Sequence, residues 1–233
     1  MSFSISGKTA IVTGASSGIG LAIGRQFAAA GANVMFADTH ESLLLKELGA
    51  QADDGNIRYF AGDLRERLTM ANLLSATLDN FDRVDILVNG SRQMVASDPL
   101  DLDDGSVETM LSQNLMTALR LSQLVSKRMI KQAKGRDDGY VGAIVNLSSI
   151  AARRTHPSLL GYSVACAALD QMTRAMAVAL APERIRVNAV AFGSVMSASL
   201  KDTLKEHRSY REDIEDHTPL GRIAAPGEVA EAV

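Results

Sequence analysis

Cysteine is almost missing from this chain: there is one, Cys166, in 233 residues. It can form no intramolecular disulfide, and no Cys/His cluster is present to hold a structural zinc, so no metal site is expected. A large excess of charge of either sign is missing as well. The formal net charge is −3 and the pI about 5.8, which leaves no basic surface for nucleic acid or an anionic membrane. Apolar runs fall short of the roughly eighteen residues that span a bilayer. The opening Met1-Ser-Phe-Ser-Ile-Ser-Gly-Lys8 has no basic region leading into an apolar stretch, as a secretory signal would. A soluble, cytoplasmic protein without nucleic-acid or membrane partners is the expectation. Apolar surface, by contrast, is plentiful. Apolar residues make up 46% of the chain against 22% charged, enough to fill the core of a single domain spanning 1–233.

Short β-rich runs alternate with longer helical patterns. Strands are expected at 9–13, 33–38, 57–60, 84–89, 143–148 and 185–190, and helices at 19–30, 41–48, 65–81, 107–132 and 159–180. Strands that are apolar on both faces and separated by helices imply a parallel sheet covered on both sides. Right-handed crossovers then give an α/β fold, a single doubly wound sheet with helices on both faces. Residues 226–233 look like the first turns of a helix that stops mid-pattern, where such a sheet normally continues with another strand. The helices at 107–132 and 159–180 carry apolar residues nearly all round, among them Leu115, Leu119, Leu124, Leu169, Met172 and Met176. One face suffices for the sheet, so the surplus suggests contact between copies of the chain; deep burial within one chain is the alternative.

Thr13-Gly-Ala-Ser-Ser-Gly-Ile-Gly20 sits where the first strand turns into the first helix. Gly14 lets the backbone turn sharply, Gly18 lets it approach a pyrophosphate, and Gly20 permits close helix–sheet packing. The helix start adds free N–H groups and a partial positive charge. The spacing is Gly-x-x-x-Gly-x-Gly rather than the commoner Gly-x-Gly-x-x-Gly. A glycine-rich turn without a ligand is the plainer alternative. Asp38 ends the second strand. A carboxylate there accepts hydrogen bonds from both ribose hydroxyls of NAD and repels the 2′-phosphate of NADP. Thr39 and His40 place no Lys or Arg directly after it. A solvated turn Asp is the competing possibility. Asp63, after the third strand, could cap a helix or meet the adenine amino group.

The segment 13–20 with Asn89, Asn114, Ser149 and Tyr162 resembles the short-chain dehydrogenase/reductase family, and the resemblance runs from Lys8 to Val233. It implies a Rossmann-type fold, NAD as cofactor and a small-molecule alcohol or carbonyl substrate. Tyr162 would be the general acid/base, Ser149 would bond the substrate oxygen, and Asn114 would hold a water in a proton relay. Gly14, Ser16, Ser17, Gly18, Ile19 and Gly20 would take the phosphates, Asp38 would select NAD, and Asp63 with Leu64 would meet the adenine. Backbone at Asn89, Gly90 and Val195, with Ser197, would line the ribose and nicotinamide. The segment 193–220 would shape the substrate pocket, and the family's last strand would lie past Val233. The resemblance also implies a homo-oligomer, a tetramer or a dimer.

Three departures cluster at the nicotinamide end. The family has Lys four residues after the Tyr; this chain reads Tyr162-Ser-Val-Ala-Cys166. A phenol with a pKa of about 10 is a poor base at neutral pH and needs a nearby cation. Losing it costs roughly 1–3 pKa units, about ten- to a thousandfold in the reactive fraction. The family's Asn-Asn-Ala-Gly is here Asn89-Gly-Ser-Arg92, and its Pro-Gly after the sixth strand is Phe192-Gly193. Arg92, Arg153 and Arg154 lie in segments expected near the pocket and could supply a cation, although a solvated loop is the ordinary place for each. Cys166 reads as a buried small hydrophobe rather than a nucleophile. The leading expectation is NAD(H)-dependent interconversion of a secondary alcohol and a ketone. An NAD-binding protein without redox turnover, serving as sensor or partner subunit, is the second. A lyase or isomerase using Tyr162 is the third.

Overall fold

The strands form where β-branched and aliphatic residues run together: β1 Thr9–Thr13, β2 Asn33–Asp38, β3 Ile57–Ala61, β4 Ile86–Asn89, β5 Gly142–Ser149 and β6 Ile185–Phe192. The computed structural model describes residues 4–49, 51, 55–135, 139–197, 200–201, 204–205 and 209–233. Parts of the expected substrate segment, 198–199, 202–203 and 206–208, thus lie outside the described residues. The six strands make one sheet in the order β3-β2-β1-β4-β5-β6, and every pairing is parallel. The doubly wound α/β expectation holds. β4 starts two residues later than the pattern suggests, although Asp85 before it still bonds Thr9 and Ala143 through its backbone while its carboxylate takes the Thr9 N–H and the Arg83 guanidinium.

Alternation along the strands fills both faces. Ala10, Val12, Val34, Phe36 and Val88 face one core with helix α1 (Gly18–Ala29). Ile11, Met35, Leu87, Ile144 and Val187 face the other, with α3 (Arg67–Phe81) and α5 (Thr117–Gln132). Between β2 and β3 lies α2 (Glu41–Leu48), and before α5 lie α4 (Ser106–Met110) and a π-helical turn, Leu111–Met116. The single helix expected at 107–132 is therefore continuous but widened in the middle, and Asn114 sits in the widened turn. α3 begins later than expected, since Asp63 accepts the Arg65 N–H in a turn before it.

α6 (Leu160–Leu180) corrects one expectation. The helical run Pro157–Glu183 is by length and composition apolar enough to cross a membrane, with a mean hydropathy of 1.3 over its best window. One side of it packs on the sheet, where Leu169 is buried and the buried Asp170 accepts a hydrogen bond from Ser148 of β5 at 2.6 Å. The remaining described helices are α7 (Ser209–Asp216) and α8 (Pro226–Glu231). Strand order reverses between β1 and β4, and the carboxyl ends of those strands open the crevice where ligands of such sheets bind.

Candidate active site

The turn after β1 is shaped by close backbone approach. Gly14 has φ +67°, and a Cβ there would lie 2.5 Å from the Gly90 carbonyl oxygen. Gly18 has φ +55°, and a Cβ there would make only an ordinary contact with Ser197 Cβ at 3.8 Å. Gly20 is needed by the turn itself, since a Cβ would strike the Gly14 carbonyl oxygen at 2.2 Å. The close helix–sheet approach expected of Gly20 falls instead to Gly24, whose Cβ would meet the Phe36 ring at 2.2 Å. Thr13 Oγ1 accepts from the amides of Gly90 and Ser91, both at 3.0 Å, and locks the two sides of the reversal together. No side chain caps the start of α1 and no acidic residue lies in its first turn, so its leading amides and dipole are left for an anion.

Asp38 is held by its own turn. Oδ2 accepts from the Ser16 amide at 3.1 Å, and Oδ1 from the Thr39 amide at 2.7 Å and the His40 amide at 3.2 Å. Burial disfavours its charge, but the bonds from Ser16 and His40 outweigh this and hold the carboxyl below its usual range. Asp63 is gripped by the Arg65 guanidinium, which also lowers it.

A cavity of about 610 Å³ runs along this edge. Of the expected cofactor residues, Gly14, Ser16, Ser17, Gly18, Ile19, Gly20, Asp38, Asp63, Gly90 and Ser197 line it. Three stand back from it. Leu64 is buried in the core beside α3, and Val195 is buried and bridges to Ala224. The Asn89 side chain is committed to a buried network, donating to Ser122 Oγ at 2.9 Å and Asn146 Oδ1 at 2.8 Å.

The chemical end lies where β4, β5, β6 and α6 converge. Ser149 closes β5, and its hydroxyl accepts from the Ala151 amide at 3.2 Å. Tyr162, in the first turn of α6, is only 5% exposed. Its hydroxyl accepts a hydrogen bond from Arg92 Nη1 at 3.0 Å, and it also meets the Ser149 hydroxyl and the Cys166 thiol. Arg92 lines the cavity and lies over the Phe192 ring, 4.5 Å from its centroid, so the guanidinium links the phenol to the crevice. Burial pushes the Tyr162 phenol up. Arg92 pulls the other way without overcoming it, and the net direction is upward. Burial raises the Cys166 thiol too, so it is neutral at neutral pH.

Asn114 is fully engaged. Its Oδ1 accepts from the Gln93 amide and its Nδ2 donates to the Gln93 carbonyl, both at 2.8 Å. It clamps the residue next to Arg92, a role the sequence did not reveal. Of the three arginines offered as a cation it is Arg92 that reaches Tyr162; the Phe192 stack and the Arg65–Asp63 pair were missed. One signal was available for the stack: Arg92, Cys166 and Phe192 are the three departures from the family pattern, and the sheet order brings their segments together. Arg153 lies one turn further out, 3.8 Å from Asp170.

An anion-receiving turn at one end of a crevice and a phenol–guanidinium pair at the other suit a nucleotide-dependent oxidoreductase. Known proteins bear this out. The family model described as enoyl-(acyl carrier protein) reductase matches residues 14–233. The 7alpha-hydroxysteroid dehydrogenase of Escherichia coli is 29% identical over 98% of this chain and 86% of its own length. A 3-oxoacyl-[acyl-carrier-protein] reductase of Thermotoga maritima is 31% identical over 98% of this chain and 89% of its own. Among solved structures, a 3-ketoacyl-(acyl-carrier-protein) reductase from Brucella melitensis complexed with NADH superposes with a TM-score of 0.86 at 26% identity, covering 98% of this chain and 90% of that one. This chain belongs to the short-chain dehydrogenase/reductase family and is an NAD(P)(H)-dependent oxidoreductase.

Proposed function

We propose that the protein is an NAD(H)-dependent reductase of a ketone to a secondary alcohol, working in reverse at alkaline pH. The observation that carries this is the buried Tyr162 phenol, bonded to an arginine that lines the same cavity as the glycine turn and Asp38. The residues present fit a dinucleotide. The positive φ of Gly18 and the uncapped start of α1 suit its pyrophosphate, and Asp38 suits an unphosphorylated ribose. Its reduced nicotinamide supplies the hydride that the carbonyl carbon accepts. Ser149 holds the carbonyl oxygen, and Tyr162 gives that oxygen its proton, leaving a phenolate beside the Arg92 guanidinium.

The raised phenol sets the pH dependence. A pKa above its ordinary value keeps Tyr162 protonated through neutral pH, the form a reductase needs. As pH rises through that pKa the acid is lost and reduction falls, while oxidation of the alcohol, which needs the phenolate, rises. Nicotinamide absorbance followed with a panel of ketones and alcohols, from neutral to strongly alkaline pH, tests both limbs. Bound NADH with no turnover of any carbonyl defeats the reading. It favours instead the NAD-binding protein without redox activity, which the small exposure of the phenol beneath Arg92 would suit.

We also infer self-association. On α6, Leu160 and Val164 are each 40% exposed and Val178 78% exposed, an apolar stripe that a second copy would cover.

A further inference from the structure

The family's lysine stands on the helix of its tyrosine, and in this chain that place holds a neutral thiol. Yet the phenol does not lack a cation. Arg92 reaches it from the segment after β4, with Nη1 3.0 Å from the hydroxyl. Two further contacts fix the guanidinium. Its Cζ lies over the Phe192 ring at the end of β6, and its neighbour Gln93 is gripped at both backbone polar groups by Asn114. Cys166, one turn along α6 from Tyr162, carries a side chain short enough to leave room beside the phenol and brings no charge at neutral pH.

We propose that Arg92 is the catalytic cation of this site, with Phe192 stacking it and Asn114 positioning it, so that the three departures near the nicotinamide form one compensated arrangement. This rests on the reading of Tyr162 as the proton donor. Arg92 stabilises the phenolate left by proton transfer, as an ammonium would, but through a planar, permanently charged group anchored on a different element. Its outer side faces the open crevice, where water screens it. Cofactor and substrate displace that water, and the guanidinium–phenolate attraction strengthens at the moment it is needed. Besides Arg92, the groups facing the phenol are the Ser149 hydroxyl from β5 and the Cys166 thiol from α6. The next charges outward are Asp170 of α6 and Arg153, which pair with each other.

Tyrosinate absorbance in an alkaline titration reads the phenol without any cofactor. The chain has four tyrosines, and subtracting the matching Tyr162→Phe protein isolates the one of interest. Arg92→Met should raise the Tyr162 midpoint by about one pH unit or more, and Arg92→Lys should return most of it. Asn114→Ala should raise it by a smaller amount, although it touches neither the phenol nor the guanidinium. In turnover, Arg92→Met should lower kcat at neutral pH about tenfold or more and move the alkaline limb upward to match the midpoint. Adding Cys166→Lys to Arg92→Met should restore both. Arg92→Gln serves the same comparison should the Met variant not fold. A midpoint in the Met or Gln variant equal to or below that of the parent would overturn the proposal. Because the titration needs no nucleotide, this result is separable from a failure to bind or oxidise NADH, which would count against the proposed function instead.

Discussion

Asp38 accepts from three backbone amides, Ser16, Thr39 and His40, and its carboxyl is held below the usual range. That preorganisation makes it a rigid negative point at the end of β2, which on the proposed reading takes ribose hydroxyls and repels a phosphate in their place. Replacing it with alanine removes both effects. Hydrogen bonds to a charged group are worth about 1.5–3 kcal/mol, so Asp38→Ala should weaken NADH binding about ten- to a hundredfold while NADPH binding holds or improves. Fluorescence titration with the two nucleotides measures this, and equal losses for both would show that Asp38 does not discriminate between them. Asp38 was legible in the sequence because its position follows from the backbone: strand, turn and helix come at set intervals, and the residue closing β2 has nowhere else to be. Arg92 was not. A long side chain in a loop is ordinarily solvated, and only the meeting of the β4, β6 and α6 ends decides which way this one turns.

Gly24 shows the same lesson for a whole element. Helix α1 lies so close to the sheet that a single methyl at Gly24 would sit 2.2 Å from the Phe36 ring, which is itself fully buried. The contact pulls the start of α1 against β2, keeping the glycine turn beside Asp38. Gly24→Ala must therefore displace an aromatic ring in a packed core, at about 1–3 kcal/mol, though alanine is the better helix former. Urea unfolding should show that loss, and Phe36→Leu in the same chain should recover part of it by making space. A Gly24→Ala protein as stable as the parent would mean that α1 can lift from the sheet freely. The elements themselves were legible from apolar periodicity, and their order along the chain was enough to predict the doubly wound sheet. Their edges were not, for local reasons: Asp63 delays α3, and the π turn at Leu111–Met116 leaves no trace in the spacing of apolar residues.

At the scale of the whole molecule, α6 faces two ways. Its inner side is pinned by the bond between Ser148 and Asp170 and by Leu169 in the core. Its outer side runs Val164, Ala167, Gln171, Ala175 and Val178 at three- and four-residue spacing, all exposed. A stripe of small and apolar residues at that spacing suits a second helix of the same kind, and a two-fold axis would set each valine against the partner copy. Burial of a valine stabilises by about 1.5 kcal/mol, and the symmetry doubles every contact, so four such side chains contribute several kcal/mol to one interface. The Val164→Glu, Val178→Glu pair removes that gain and forces carboxylates against each other across the axis. Light scattering should find an oligomer for the parent and a 24.8 kDa monomer for the double variant. NADH binding should survive in that monomer, because the crevice is lined by one chain's glycine turn, Asp38, Asp63, the segment after β4, Leu147 of β5 and Ser197. A parent that runs as a monomer at high concentration removes the interface. A double variant that dissociates and also loses NADH would show that the cofactor crevice depends on a partner copy.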